Sequence, residues 1–324
     1  MNVTRFSSFS VIALVSVVGA LAWQAGPNPK DLSMPWAFPV YPVNVAKDAP
    51  PEKDDGQPKH IPGSDRAFTM RHINDYFDTP DWFPKDHPAW PKIVQYGRKP
   101  VIACAFCHLG SGLGHPESAN IAGLPAAYMI RQLALFKTDA RKDCEPMNAF
   151  AKVLTDEEVK VSCEYFAALK PRPFYKVVET TTVPKSYLDS EFMRLPRPGG
   201  AMEPLGNRII TLPQDPERVL RLDPYSGFIA YAPPGSLKKG EQLVKTGGAG
   251  KTIACDVCHG PGLRGLAEVP RIAGLHPIYI MRQLYKFRDG RNAGTWAQLM
   301  KAPAAKLNDD DILSIAAYVG SLNP

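Results

Sequence analysis

A five-residue motif occurs twice, as Cys104-Ala105-Phe106-Cys107-His108 and Cys255-Asp256-Val257-Cys258-His259, at an offset of 151 residues in a chain of 324. The offset persists beyond the motif, which makes it the strongest constraint on the fold. Ile121-Ala122-Gly123-Leu124 matches Ile272-Ala273-Gly274-Leu275, and Tyr128, Arg131, Gln132, Leu133 and Phe136 match Tyr279, Arg282, Gln283, Leu284 and Phe287. After a two-residue insertion, Met147 aligns with Met300, Leu154 with Leu307 and Tyr165 with Tyr318. Two equivalent units follow, over 86–170 and 236–324, in a chain longer than one ordinary domain.

Each unit reads as helical. Short helices are expected ahead of each motif, over Ala89 to Gly97 and over Ser236 to Thr246, the latter with Ser236 as N-cap and Gly247 as the stop. Helices starting at Pro125 and Pro277 place Tyr128, Leu133 and Phe136, or Tyr279, Leu284 and Phe287, on apolar faces. The last helix of each unit has an N-terminal signature, Thr155 with Glu158 and Asn308 with three aspartates. Val159, Cys163 and Phe166 then share one face, as do Ile312, Ala316 and Val319. Small residues at Ala89 and Gly240 let the first and last helices cross closely.

The remaining sequence differs in character. The 33 prolines concentrate in residues 23–85 and 171–235. The first of these stretches carries Trp36 and Trp82, with Trp90 just beyond it, and reads as an extended segment wrapping the surface. The second holds alternating stretches, Tyr175 to Val183, Arg208 to Leu212 and Phe228 to Tyr231, suited to a small sheet. The expected class is therefore all-α, two tandem units, with irregular extensions and a small β element between them. At the N-terminus, Arg5 precedes an apolar run from Phe9 to Trp23 that ends in a small-x-small pattern at Ala20 and Ala22, so residues 1–22 read as a signal peptide for export to the periplasm. The alternative is an anchor over residues 6–29 in the inner membrane, since no charged residue lies between Arg5 and Lys30. The net charge of +6 is scattered, which argues against nucleic acid and suits docking to an acidic redox protein.

Two cysteines separated by two residues are spaced for thioether bonds to both vinyl groups of a haem, with the adjacent histidine held under the iron. A lone Cys-x-x-Cys could bind zinc or form a redox disulfide. Two copies at equivalent places, each followed by His, in an exported chain, point instead to two covalent haem c groups on Cys104, Cys107, Cys255 and Cys258, with His108 and His259 as axial ligands. Met147 and Met300 lie just before the final helices, in matching places, and are the candidates for the sixth iron position, where a thioether raises the potential as suits a carrier. Met129 and Met281 read as core, and His115 and His276, which lack counterparts, as surface residues.

Each half resembles a class I cytochrome c domain, and the pair resembles the dihaem cytochromes of the c-four kind. The shared pattern is the Cys-x-x-Cys-His motif, Ile-Ala-Gly-Leu, the Tyr, Gln-Leu and Phe positions, then Met and a capped helix. The resemblance implies a proline carbonyl accepting a hydrogen bond from the proximal histidine. Pro270 matches, while Ala119 stands at the equivalent place in the first unit. It implies electron transfer between periplasmic or membrane-bound redox partners of a respiratory chain. The two long extra segments depart from the family, so its haem-to-haem packing does not carry over directly.

Three other readings compete. A dihaem peroxidase needs one iron with an open position, against which two matched methionines argue. A thiosulfate dehydrogenase would use a cysteine ligand, and Cys144 lies three residues before Met147. A disulfide from Cys144 to Cys163, or a buried thiol at Cys163 in the slot held by Ala316, is the simpler account of those cysteines. The third is an anchored cytochrome subunit of a larger respiratory complex. The electron carrier is preferred over an enzyme.

Overall fold

The computed structural model describes residues 34, 36–38, 54–142, 146–189 and 193–324. The leader or anchor over 1–22 or 6–29, and Cys144, lie outside these residues.

The first repeat is built from helices Lys92–Gln95, Cys104–His108, Ala126–Lys137, Met147–Val153 and Asp156–Ala168. The second is built from Ser236–Gly250, Asp256–His259, Pro277–Arg288, Ala297–Ala305 and Asp309–Ser321. Both last helices start at capping boxes. Glu158 N donates to Thr155 Oγ1 and Thr155 N to Glu158 Oε2, at 3.2 and 2.9 Å. Asp311 N donates to Asn308 Oδ1 and Asn308 N to Asp311 Oδ2, at 2.8 and 3.0 Å.

The opening helices depart from expectation. In the first repeat only Lys92–Gln95 is helical and Ala89 is exposed coil. Pro91 lacks an N–H and pushes Trp90 toward extended backbone, so no helix propagates through it. In the second repeat Gly235 is the N-cap at φ 86°, and Ser236 sits inside the helix with its hydroxyl donated to Pro233 O. Gly247, at φ 68°, ends the regular turns as expected. Gly240 also plays its expected part, because a Cβ there would run into the carbonyl of Ser314 and the Tyr318 side chain.

The segment between the repeats carries the strands, so the fold is mainly helical rather than all-α. β1 (Tyr175–Glu179), β6 (Ile210–Pro213) and β7 (Phe228–Ala232) form a sheet in the order β1-β7-β6. β1 pairs parallel to β7, from Tyr175 opposite Phe228 to Glu179 opposite Ala232, and β6 pairs antiparallel to it. β2 (Thr182–Pro184) pairs with β5 (Met202–Pro204), and β3 (Ser186–Leu188) with β4 (Arg194–Pro196). Along β7 alternate residues Phe228, Ala230 and Ala232 are fully buried, as the two-residue period of a strand requires. Phe228 enters the core of the first repeat, beside Phe166 and Phe174, while Ala230 and Ala232 enter the core of the second. The sheet thus belongs to both cores.

The N-terminal segment lies over this frame. Ile61, Met70, Ile73 and Trp82 form a small cluster of their own. Trp82 Nε1 donates to Arg221 O at 2.7 Å and Arg221 donates back to His60 O at 3.1 Å, which ties this segment to the one between the repeats.

The repeats face each other through equivalent residues. Arg141 and Asn292, 151 apart in number, pair as a bridge flanked by Lys142 N to Arg291 O and Ala293 N to Ala140 O. Arg131 pairs with Glu268, and its counterpart Arg282 pairs with Glu117, the counterpart of Glu268. Such reciprocity is the signature of a local two-fold axis.

Candidate functional site

The two motif segments are held in the same way. In the first, Gly114 N donates to His108 O, and Ile121 N and Ala122 N donate to Gly112 O. In the second, Gly265 N donates to His259 O, and Ile272 N and Ala273 N donate to Leu263 O. The chain reverses through left-handed residues at equivalent places, including Gly114 at φ 70° and Gly265 at φ 94°. These loops return the chain eleven residues later beside each histidine. His108 Nδ1 bonds Ala119 O and His259 Nδ1 bonds Pro270 O, both at 2.9 Å. The alanine carbonyl therefore serves as well as the proline one.

A carbonyl can only accept, so each Nδ1 carries the proton and each Nε2 keeps a lone pair for a metal. Burial pushes both imidazoles below their ordinary pKa, which keeps them neutral as ligation requires. Burial also pushes the thiols of Cys104 and Cys255 up, to about 12 and about 11. Burial that penalises a thiolate suits the neutral thioether of a tethered group. Among the described residues no group of three or more His, Cys, Asp or Glu is arranged to hold a metal ion. In each motif two thiols stand beside a neutral imidazole whose Nε2 is free to bind iron, a donor set that fits covalently tethered haem.

Met147 and Met300 lie within the penultimate helices, partly buried. Met147 is the first residue of Met147–Val153, and Met300 is the fourth residue of Ala297–Ala305, which starts earlier. Asn148 anchors the first by donating to Phe136 O at 3.0 Å and Arg141 O at 2.8 Å. Thr252 anchors the second by donating to Pro303 O at 2.7 Å.

Two expectations are corrected. His276 is fully buried, against Tyr175 at 3.7 Å between ring centroids, and its pKa is pushed far down by burial. His115 is also drawn inward, its pKa lowered to about 4 by burial and by the neighbouring His108. His276 is covered by Tyr175 of strand β1, on a face that a lone repeat would leave open, while His115 is half-buried with its Nε2 enclosed. Cys163 is a buried thiol whose pKa rises to about 12 through burial, as the inert reading expects.

Sequence reasoning passed over the contacts between the repeats. Arg271 is buried, and its guanidinium bonds Ala273 O at 2.6 Å, Ala122 O at 3.2 Å and Asn120 Oδ1 at 3.2 Å. The signal was available for the ion pairs, since Glu117 with Arg131 recurs as Glu268 with Arg282 at the repeat offset.

Residues 237–323 match the cytochrome c family model. The chain is 35% identical over 234 residues to a thiosulfate dehydrogenase electron acceptor of Stutzerimonas stutzeri, covering 71% of this chain and 83% of that protein. A protein of the same description from Thiomonas intermedia is 26% identical over 239 residues, covering 72% and 85%. A cytochrome c4 of Thiocapsa roseopersicina is 27% identical over 225 residues, covering 68% and 87%.

Proposed function

We propose, for a chain that belongs to the dihaem c-type cytochromes of the c4 kind, that the two repeats are its two haem domains, over 86–170 and 236–324. The chain is an electron-transfer cytochrome with two covalently bound haem c groups. Each haem supplies a reversible one-electron centre. Cys104 and Cys107 tether the first and Cys255 and Cys258 the second. His108 and His259 present Nε2 to the irons, oriented by Ala119 O and Pro270 O. Met147 and Met300 provide the sixth ligands and favour the ferrous state.

The observation that carries this reading is the repeated bond from each motif histidine to a backbone carbonyl at 2.9 Å. The protein's partners are redox proteins. The two relatives described as thiosulfate dehydrogenase electron acceptors favour a donor of that class, with this chain as acceptor rather than as the dehydrogenase. The apolar leader supports export to the periplasm with removal of residues 1–22, and intact-mass measurement distinguishes this from a retained anchor over 6–29. Among the described residues no helix is long and apolar enough to cross a membrane.

Ligand-sensitive spectroscopy tests the site assignment. The oxidised protein is expected to show two low-spin haems with a sulfur-to-iron charge-transfer band, half of it lost in Met147→Ala and half in Met300→Ala. A five-coordinate haem in the unaltered protein that binds cyanide at once would refute the carrier assignment.

A further inference from the structure

We propose that Arg271 is a positioning residue shared by both haem sites, a buried positive charge on the local two-fold axis that raises the two reduction potentials together. The inference rests on the dihaem reading above and adds a residue that the motifs do not contain.

The placement is unusual. One guanidinium nitrogen bonds Ala273 O at 2.6 Å and the other bonds Ala122 O at 3.2 Å, and these alanines are equivalent members of the two Ile-Ala-Gly-Leu segments. The second nitrogen also bonds Asn120 Oδ1 at 3.2 Å, and Asn120 is the counterpart of Arg271 itself. A group that bridges its own equivalents sits on the axis relating the repeats. Arg271 follows Pro270, whose carbonyl holds His259, and Asn120 follows Ala119, whose carbonyl holds His108. The charge is thus one residue away from each histidine-orienting carbonyl.

Arg271 is 5% exposed, and its three hydrogen-bond acceptors among the described residues are neutral. Two other guanidiniums are buried at this interface: Arg282 is paired with Glu117, and Arg141 bonds Gln132, Tyr279 and Gln283. Burial lowers the Arg271 pKa to about 10, which still leaves it charged at neutral pH. Reduction removes one positive charge from a haem iron, so a fixed cation in a poorly screened interior disfavours the oxidised form. An axial position imposes this on both sites. The repeats supply one arginine and one asparagine at the two equivalent positions, and two facing arginines there would repel each other without a counter-ion.

The test is a spectroelectrochemical titration of the full-length holoprotein, with haem counted per chain first. A count below two would indict the tethering assignment, not this proposal. With two haems present, Arg271→Gln is expected to lower both potentials by similar amounts, each one-electron equilibrium by about tenfold, or about 59 mV. Arg271→Lys, which keeps the charge, is expected to retain most of the unaltered values. Asn120→Ala, which keeps the arginine, is expected to leave both potentials within about twofold of the original equilibria, and it provides a reading if Arg271→Gln does not load both haems. A shift confined to one haem, no shift in Arg271→Gln, an equal fall in Arg271→Lys, or a tenfold fall in Asn120→Ala would each overturn the proposal.

Discussion

The two repeats hold the same loop on different supports. In the second, a long opening helix crosses the last helix at Gly240, against Ser314 and Tyr318, and Leu243, Val244, Ile312 and Ala316 pack its core, with Ala230 and Ala232 of the sheet and Phe38 of the N-terminal segment added at its edge. In the first, Pro91 reduces the opening helix to Lys92–Gln95, and Phe174 and Phe228 from the segment between the repeats fill the core instead. Gly110 accommodates the Trp90 ring in the space that any Cβ there would occupy. Despite this, both histidines bond their carbonyls at the same 2.9 Å. The motif loop therefore keeps the same geometry on two different supports.

The duplicated ion pair offers the sharpest way to break this equivalence. Arg282 and Glu117 have side chains 2% and 15% exposed, while Arg131 and Glu268 are 29% and 53% exposed. Glu117→Gln leaves a buried guanidinium without its carboxylate and is expected to cost about 3 kcal/mol. Glu268→Gln is expected to cost under about 1 kcal/mol. Chemical denaturation of the two variants checks the difference, and equal losses would mean that both pairs are solvated.

A smaller effect tests the supports. Gly240→Ala is expected to destabilise the second repeat by about 2 kcal/mol through the clash with the Ser314 carbonyl, well above the gain in helix propensity. Ala89→Gly, at the aligned position in exposed coil, is expected to change stability by less than about 0.5 kcal/mol. If the two substitutions behave alike in a melt, the crossing at Gly240 is not a tight contact.

The smallest effect separates the two helix caps by acid. The bond from Arg98 lowers the Glu158 pKa to about 2 from an ordinary 4.5, so its contribution is present above about 4.5 and is lost as pH falls toward 2. At the aligned cap, burial raises the Asp311 pKa, but the bonds from Lys239 and Lys251 outweigh it and the net direction is down. Stability is therefore expected to fall on acidification in both repeats. Arg98→Ala should flatten only the part belonging to the first, as read by denaturation midpoints across pH 2 to 5, because Arg98 is half exposed and contributes modestly.

Local chemistry made much of this legible in advance. Thr155 with Glu158 and Asn308 with Asp311 are short-range signals, and both capping boxes form. Tyr175, Ile210 and Phe228 lie in alternating segments that do become strands, although the parallel pairing of β1 with β7 depends on partners about fifty residues apart, which no local pattern specifies. The surface assignment of His276 failed for the same reason. A histidine without a counterpart in its repeat carries no sign that a strand from elsewhere will cover it.

The sequence by itself determined the repeat, the two Cys-x-x-Cys-His segments and the cap positions, because each depends on residues within a turn or two or on exact recurrence at one offset. Tertiary structure alone decided that the repeats meet about a local two-fold axis, that one sheet serves both cores, and that the Arg271 guanidinium lies at the centre of the contact beside Asn120. These depend on surfaces brought together from distant parts of the chain, and the free energy of burying a group is set by what it meets there.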